Sequence, residues 1–321
     1  MATKVRGSLA VDLNGVVLPT PVLGASGCFG SGAEMGEVID LRRVGGIITK
    51  SVTLKPRKGL PTPRMVETPS GMLNAIGLQN PGVEGFIAKD LPFIAQVQTP
   101  VILSIAGETV EEFVSVAVRA NEFPNIVAIE ANISCPNVAR RNQVFACHPD
   151  ASAEVVGAVS RVSRLPVFAK LTPDVTDIVE IADACVRAGA HGISLINTLL
   201  GMAIDVETGR PRLAAVTGGL SGPAIRPVAV RAVYQVARAF PDVPIIGMGG
   251  VATAEDAAEL ILAGAWAVAV GTANFFNPHV TIEVAQGLKE ILARKGLQSP
   301  AELRGRVVGR RSVPEPAHRG G

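Results

Sequence analysis

Cysteine is scarce in this chain of 321 residues, which holds only Cys28, Cys135, Cys147 and Cys185. None of the four shares a C-x-x-C spacing or falls in a zinc-ligand pattern, which argues against a disulfide scaffold, a metal centre, or an iron-sulfur cluster held by this chain alone. In a reducing compartment they are expected as free thiols. Long hydrophobic runs are missing too. No apolar stretch reaches the roughly 18 residues of a membrane helix, and the opening MATKVRGSLAVDLNGVVLPTP lacks the core of a signal peptide, so a cytoplasmic protein with no membrane span is expected. Charge of one sign is absent. The net charge is +2, and basic residues are dispersed except in the terminal RGRVVGRRSVPEPAHRGG. Without a basic stripe or interleaved aromatics, no nucleic-acid surface is expected. No Ser- or Gly-rich linker divides the chain.

What is present is core material: 48% of residues are apolar and 18% charged, enough for a large interior. Short apolar runs recur with helix-like segments between them: PVLGAS (21 to 26), GIITKS (46 to 51), VILSIAG (101 to 107), VAIEANIS (127 to 134), VFAKLT (167 to 172), GISLINT (192 to 198), PIIGMGG (244 to 250) and AVAVGT (267 to 272). Each is continuous rather than alternating, as in parallel strands shielded on both faces. Thr109-Val-Glu-Glu112 and Thr253-Ala-Glu-Asp256 resemble capping boxes, and Gly189 and Gly264 stand where helices would stop. The pattern predicts an α/β fold, a (β/α)8 TIM barrel, with an open doubly wound sheet as the alternative. Asn14-Gly15 between two apolar runs predicts a type I′ β-hairpin, placed to close the bottom of the barrel.

In such a barrel the loops after the strands form the active face. Ser26, Lys50, Ser104, Asn132, Lys170, Asn197, Gly249 with Gly250, and Gly271 with Thr272 stand at strand ends. A lone lysine there is ordinarily a snorkelling surface residue. Two embedded in apolar strands call for an anionic ligand. The glycine pairs after strands seven and eight can be plain turns, or can bare backbone N–H groups to a phosphate. The loop NAIGLQNPG (74 to 82) adds Asn74 and Asn80, and Asn137 follows Asn132. Singly these are ordinary loop hydrogen-bonders; together they suit a planar heterocycle with amide edges. A buried structural thiol is the reading for Cys28, Cys147 and Cys185, and Cys147-His148 offers too few ligands for a metal. Cys135, in NISCPNV (132 to 138), follows a strand in a loop pinned by Pro136 and is placed to act on a substrate, as a thiolate base.

TKS at 49 to 51, NAIGLQNPG, NISCPNV, LINT at 195 to 198 and the two glycine motifs together resemble the class 1 dihydroorotate dehydrogenases, most of all the class 1B catalytic subunit. The resemblance implies a single FMN-binding barrel over residues 1 to 304; residues 305 to 321 lie outside the matched part and are expected to be a basic, flexible tail. It implies FMN contacts from Ser26, Lys50, Ser51, Ser104 and Asn132, from Lys170, Ile196 and Gly222, and phosphate contacts from Gly249, Gly250, Gly271 and Thr272. Dihydroorotate or orotate would meet Lys50, Asn74, Ala75, Ile76, Gly77 and Leu78, together with Asn132, Asn137, Asn197 and Thr198. Ser104 stands where the family often has asparagine.

Cys135 falls on the family's catalytic base, taking the C5 proton while hydride leaves C6 for the flavin. Electrons would pass to an iron-sulfur, FAD-containing partner and on to NAD+, from a homodimer core within a heterotetramer. The serine base and N-terminal extension of the membrane-associated class 2 enzymes are not expected here. The rivals are a fumarate-dependent class 1A enzyme, another FMN barrel reductase, and a flavin-free phosphate-binding barrel. The segment ARRNQVFACHPD after the cysteine suits a lid or a fixed loop equally.

Overall fold

The fold is taken from a computed structural model, which describes residues 9–134 and 145–307. Each of the eight apolar runs contains a parallel strand, and the eight close into one barrel in chain order. They are β1 (Val22–Gly24), β2 (Ile47–Ile48), β3 (Val101–Ile105), β4 (Ile126–Asn132), β5 (Val167–Leu171), β6 (Gly192–Leu195), β7 (Ile245–Met248) and β8 (Ala267–Val270). The open-sheet alternative fails because β8 pairs with β1, with Ala269 opposite Leu23. β3 to β8 are buried along nearly their whole length, since helices cover the outside and side chains fill the inside.

The helices begin and end close to the expected punctuation. At Ala254–Ala263 the capping box is complete, Thr253 and Asp256 each bonding the other's backbone N–H. At Val110–Ala120 only half of the expected box forms: Thr109 accepts from Glu112 N, but the Glu112 carboxylate reaches past Thr109 to Glu108 N at 2.8 Å. Ile178–Arg187 ends just before Gly189.

Strands Val11–Asp12 and Val17–Leu18 form the predicted hairpin, with Val11 opposite Leu18. Asn14 (φ 56°) and Gly15 (φ 106°) make the two-residue turn, the positive φ at both positions marking type I′. Leu13, Val16 and Leu18 pack with inward residues of the barrel, among them Leu23, Ile48, Ile102, Ala128, Phe168 and Ile246. Leu13 O bonds His191 Nε2 at 2.8 Å, and Asn14 Nδ2 donates to Asp242 O at 3.1 Å. Both partners lie just before a strand, so the hairpin closes the N-terminal end and leaves the other end open.

The count of strand-helix units did not anticipate a second sheet. Leu199–Met202, Thr217–Ser221, Gly71–Asn74 and Met65–Thr68 pair antiparallel in that order. These strands come from the connections after β2 and β6, at the C-terminal side of the barrel. Their glycines, at 71, 201, 218 and 219, weaken the strand signal in sequence. Leu73 is buried, and Leu199 and Leu220 pack on the barrel core, which roots the sheet.

At the other end, the Arg304 guanidinium lies 3.6 Å from the Trp266 ring centroid and Gly305 N donates to Ile261 O. Residues 308–321 of the expected tail lie outside the described residues. Among the described residues no helix is long and apolar enough to cross a membrane.

A Cβ at Gly15 would meet nothing within 4 Å, so a side chain there is penalised only through its backbone. Gly15→Val is expected to lower unfolding stability by about 1–2 kcal/mol, read as a reduced urea midpoint with an unchanged m-value.

Candidate active site

Strand alternation decides what lines the open end. On β4, Ala128, Glu130 and Asn132 share the inward face; on β5, Phe168 and Lys170 do so. The register sets Lys170 opposite Asn132 on one side and Ser194 on the other, with Glu130 opposite Ser104.

Four strand ends are joined by one chain of hydrogen bonds. Ser104 Oγ and Ser51 Oγ are 2.9 Å apart, Asn132 Nδ2 donates to Ser51 Oγ at 3.0 Å, and Asn197 Nδ2 donates to Asn132 Oδ1 at 3.3 Å. Thr198 N closes the chain on Asn197 Oδ1 at 2.9 Å. Asn74 approaches the same residues from the covering sheet: its Nδ2 donates to Gly219 O at 3.4 Å, and a Cβ at Gly219 would collide with the Thr198 side chain. Such a row of fixed amides and hydroxyls offers donors and acceptors without net charge, as a planar ring with amide edges requires.

The charges are arranged differently from expectation. Lys170 is buried, yet it does not depend on an external anion: its Nζ donates to Glu130 Oε1 at 3.5 Å, and Glu130 is fully enclosed. Glu130 is not among the strand-end residues the sequence singles out, because in VAIEANIS it lies inside the apolar run. Its spacing of two from Asn132 was the available signal, since that spacing puts both on one face of a strand. Lys50 lies close by. A Cβ at Gly27 would be 3.7 Å from Lys50 Nζ.

The cysteines also differ from one uniform reading. Cys185 is buried, and desolvation pushes its thiol up to about 12. Cys147 is half-buried and raised by burial and by Asp174. Cys28 is half-buried at the barrel mouth; burial pushes it up to about 11, with Lys50 and Lys170 pulling the other way. Both ammonium groups are therefore felt at β1.

Opposite the amide chain lies a rim poor in side chains. Gly249 (φ 118°) and Gly250 (φ 79°) follow β7 in conformations that exclude other residues. A Cβ at Gly250 would come within 2.7 Å of Arg226 Cβ, and one at Gly249 within 3.3 Å of Ile196 Cγ1. Thr272 Oγ1 donates to Ser221 Oγ at 2.8 Å, bringing the end of β8 to Gly222. Gly271 faces Cys28 and Ala25, next to the half-buried Ser26. The rim thus offers bare backbone and one hydroxyl. Arg226, whose Cβ adjoins Gly250, is already paired with Asp256 and with Glu259 at 3.1 Å.

Not every expected residue converges here. Asn80 is spent inside its loop, accepting from Gly82 N at 2.8 Å and Thr53 N at 3.2 Å and donating to Leu78 O at 2.7 Å. Ala75, Ile76, Gly77 and Leu78 form a half-buried loop; Leu60 N donates to Ile76 O, and Ala75 N to Arg64 O. Cys135 and Asn137 lie outside the described residues. The chain reaches them from Ser134, whose Oγ donates to Lys170 O at 2.7 Å, and comes back where Ala146 N donates to Ile133 O.

Comparison with known proteins shows the family. Residues 8–292 match the family described as dihydroorotate dehydrogenase. A relative from Geotalea daltonii, named dihydroorotate dehydrogenase B (NAD(+)), catalytic subunit, is 53% identical over 300 residues, covering 94% of this chain and 98% of its own. A relative of the same name from Alkaliphilus metalliredigens is 53% identical over 303 residues, covering 94% and 99%. A solved structure, DHODH from Eimeria tenella in complex with ferulenol, is 22% identical with a TM-score of 0.79, over 93% of this chain and 88% of that one, and so shares the fold. The chain belongs to the dihydroorotate dehydrogenase family.

Proposed function

We propose that the chain oxidises (S)-dihydroorotate to orotate in pyrimidine synthesis, with FMN as its cofactor and Cys135 as general base. The observation that carries this reading is the hydrogen-bonded chain from Ser104 through Ser51, Asn132 and Asn197 to Thr198, set beside Lys170 and facing a glycine rim. The rim suits a phosphate monoester: Gly249 and Gly250 bare their backbone, Thr272 brings a hydroxyl, and the paired Arg226 leaves recognition to neutral donors. FMN, when bound, supplies a two-electron acceptor for the hydride released by dihydroorotate.

The chain's own residues do the rest. Ser26, Ser51, Ser104, Ile196 and Gly222 would contact the cofactor, and Lys170 would bring positive charge to its ring. Lys50 meets the substrate carboxylate. Asn74, Asn132, Asn197 and Thr198, with Asn137 and the loop Ala75, Ile76, Gly77 and Leu78, hold the pyrimidine edges and orient C5 and C6. Cys135 directly follows Ser134, whose hydroxyl is tied to the backbone of Lys170, and consecutive Cα atoms lie about 3.8 Å apart. As thiolate, Cys135 removes the C5 proton, and since a free thiol has a pKa near 8.5 the rate rises with pH across neutrality.

The relatives' names carry both NAD(+) and "catalytic subunit", which supports a separate electron-transfer subunit. We assign that subunit an iron-sulfur cluster and FAD, with this chain as a homodimer core of a cytoplasmic heterotetramer.

Three outcomes test the reading. Cys135→Ala should keep orotate affinity while flavin reduction by dihydroorotate falls by about 10²-fold or more; near-wild-type reduction removes Cys135 as the base. Gly250→Ala, forced against Arg226 at positive φ, should weaken FMN binding by about tenfold or more in a fluorescence titration, and undiminished binding would move the phosphate elsewhere. Purified alone, the chain should reduce artificial acceptors but not NAD+; rapid NAD+ reduction would refute the need for a partner.

A further inference from the structure

Three charged side chains are buried among the described residues: Glu130, Lys170 and Asp256. Asp256 is accounted for by its helix cap and by Arg226. Glu130 is not accounted for so simply. Its contact with Lys170, at 3.5 Å, is at the outer limit of a hydrogen bond. Its other oxygen, Oε2, is buried with no hydrogen-bond partner among the described residues. Burying a carboxylate in this way is unfavourable, and apolar side chains of similar volume would hold a barrel together at least as well. A stabilising role therefore does not explain Glu130.

Its position relative to Lys170 suggests one that does. Lys170 is flanked at its own level by Asn132 and Ser194, both neutral. Glu130 is two residues before Asn132 on the same inward face, and so lies one step deeper in the barrel. The ammonium is thus drawn inward, away from the open mouth, by a carboxylate no ligand can reach. Its charge still acts on Cys28 in the loop after β1. Whatever fraction Glu130 offsets is withheld from a ligand at the mouth.

We infer that Glu130 is a positioning residue, which anchors Lys170 Nζ from below and offsets part of its charge, so that the pair sets the reduction potential of the bound flavin. The inference rests on the flavin reading above, and the experiment separates the two. The midpoint potential of bound FMN is measured in the purified holoprotein for wild type, Glu130→Gln, Lys170→Met and the double variant, together with the Kd values for oxidised FMN and orotate. Glu130→Gln should keep the affinity for oxidised FMN, whose ring carries no charge, should not weaken orotate, and should raise the potential. The reduced flavin should gain about tenfold in affinity relative to the oxidised form, which is about 30 mV for a two-electron couple. In the Lys170→Met background the same change should have less than half that effect, because the charge being offset is gone.

An unmoved potential in Glu130→Gln overturns the inference, as does an equal shift in both backgrounds. If Glu130→Gln does not fold, Glu130→Asp, which withdraws the carboxylate by one methylene, takes its place: a rise in potential supports the inference and no change overturns it. Wild-type protein that binds no FMN would instead sink the functional reading.

Discussion

An ammonium group enclosed by a ring of strands must be matched by a countercharge, and in this barrel the match comes from the neighbouring strand. Lys170 and Glu130 project inward from β5 and β4 and meet at 3.5 Å. Everything polar at the mouth is arranged above or around that pair. Asn132 and Ser194 stand level with the lysine, Ser104 stands level with the carboxylate, and the backbone of Lys170 receives the hydroxyl of Ser134. The pair therefore marks the boundary between the apolar floor of the barrel and the amide-lined chamber above it.

The floor depends on the hairpin. Leu13, Val16 and Leu18 fill the space between the N-terminal halves of the strands, against Phe168 and Ile102. A barrel closed there by hydrocarbon admits polar ligands only from the other end. The side chains at that end divide by chemistry: amides and hydroxyls on β2, β3, β4 and β6, lysines on β2 and β5, and bare backbone after β7 and β8.

Much of this could be read along the chain. Continuous apolar runs ending in polar residues mark strands buried on both faces, and the recurrence of the unit implies a closed ring. Asn14-Gly15 specified its turn because few residue pairs tolerate positive φ twice in succession. Other features were not legible, for different reasons. The covering sheet is built from strands that pair across the distance from Asn74 to Gly219, and local pattern carries no information about such pairing. Asn80 reads like Asn74 in the loop NAIGLQNPG, yet one turns into the loop and the other toward Gly219. Cys28, Cys147 and Cys185 read alike as isolated thiols, and only burial and neighbouring charges separate them.

Sequence by itself determined the strand-helix repeat, the hairpin turn and the set of polar residues at strand ends, because each follows from local periodicity or from the backbone preferences of a few adjacent residues. Tertiary structure alone decided which of those residues touch. Whether an amide faces a ligand or its own loop, and whether a lysine is paired from within, depends on register between strands far apart in the chain. Glu130 and Lys170 are separated by forty positions, and only closure of the barrel brings them together.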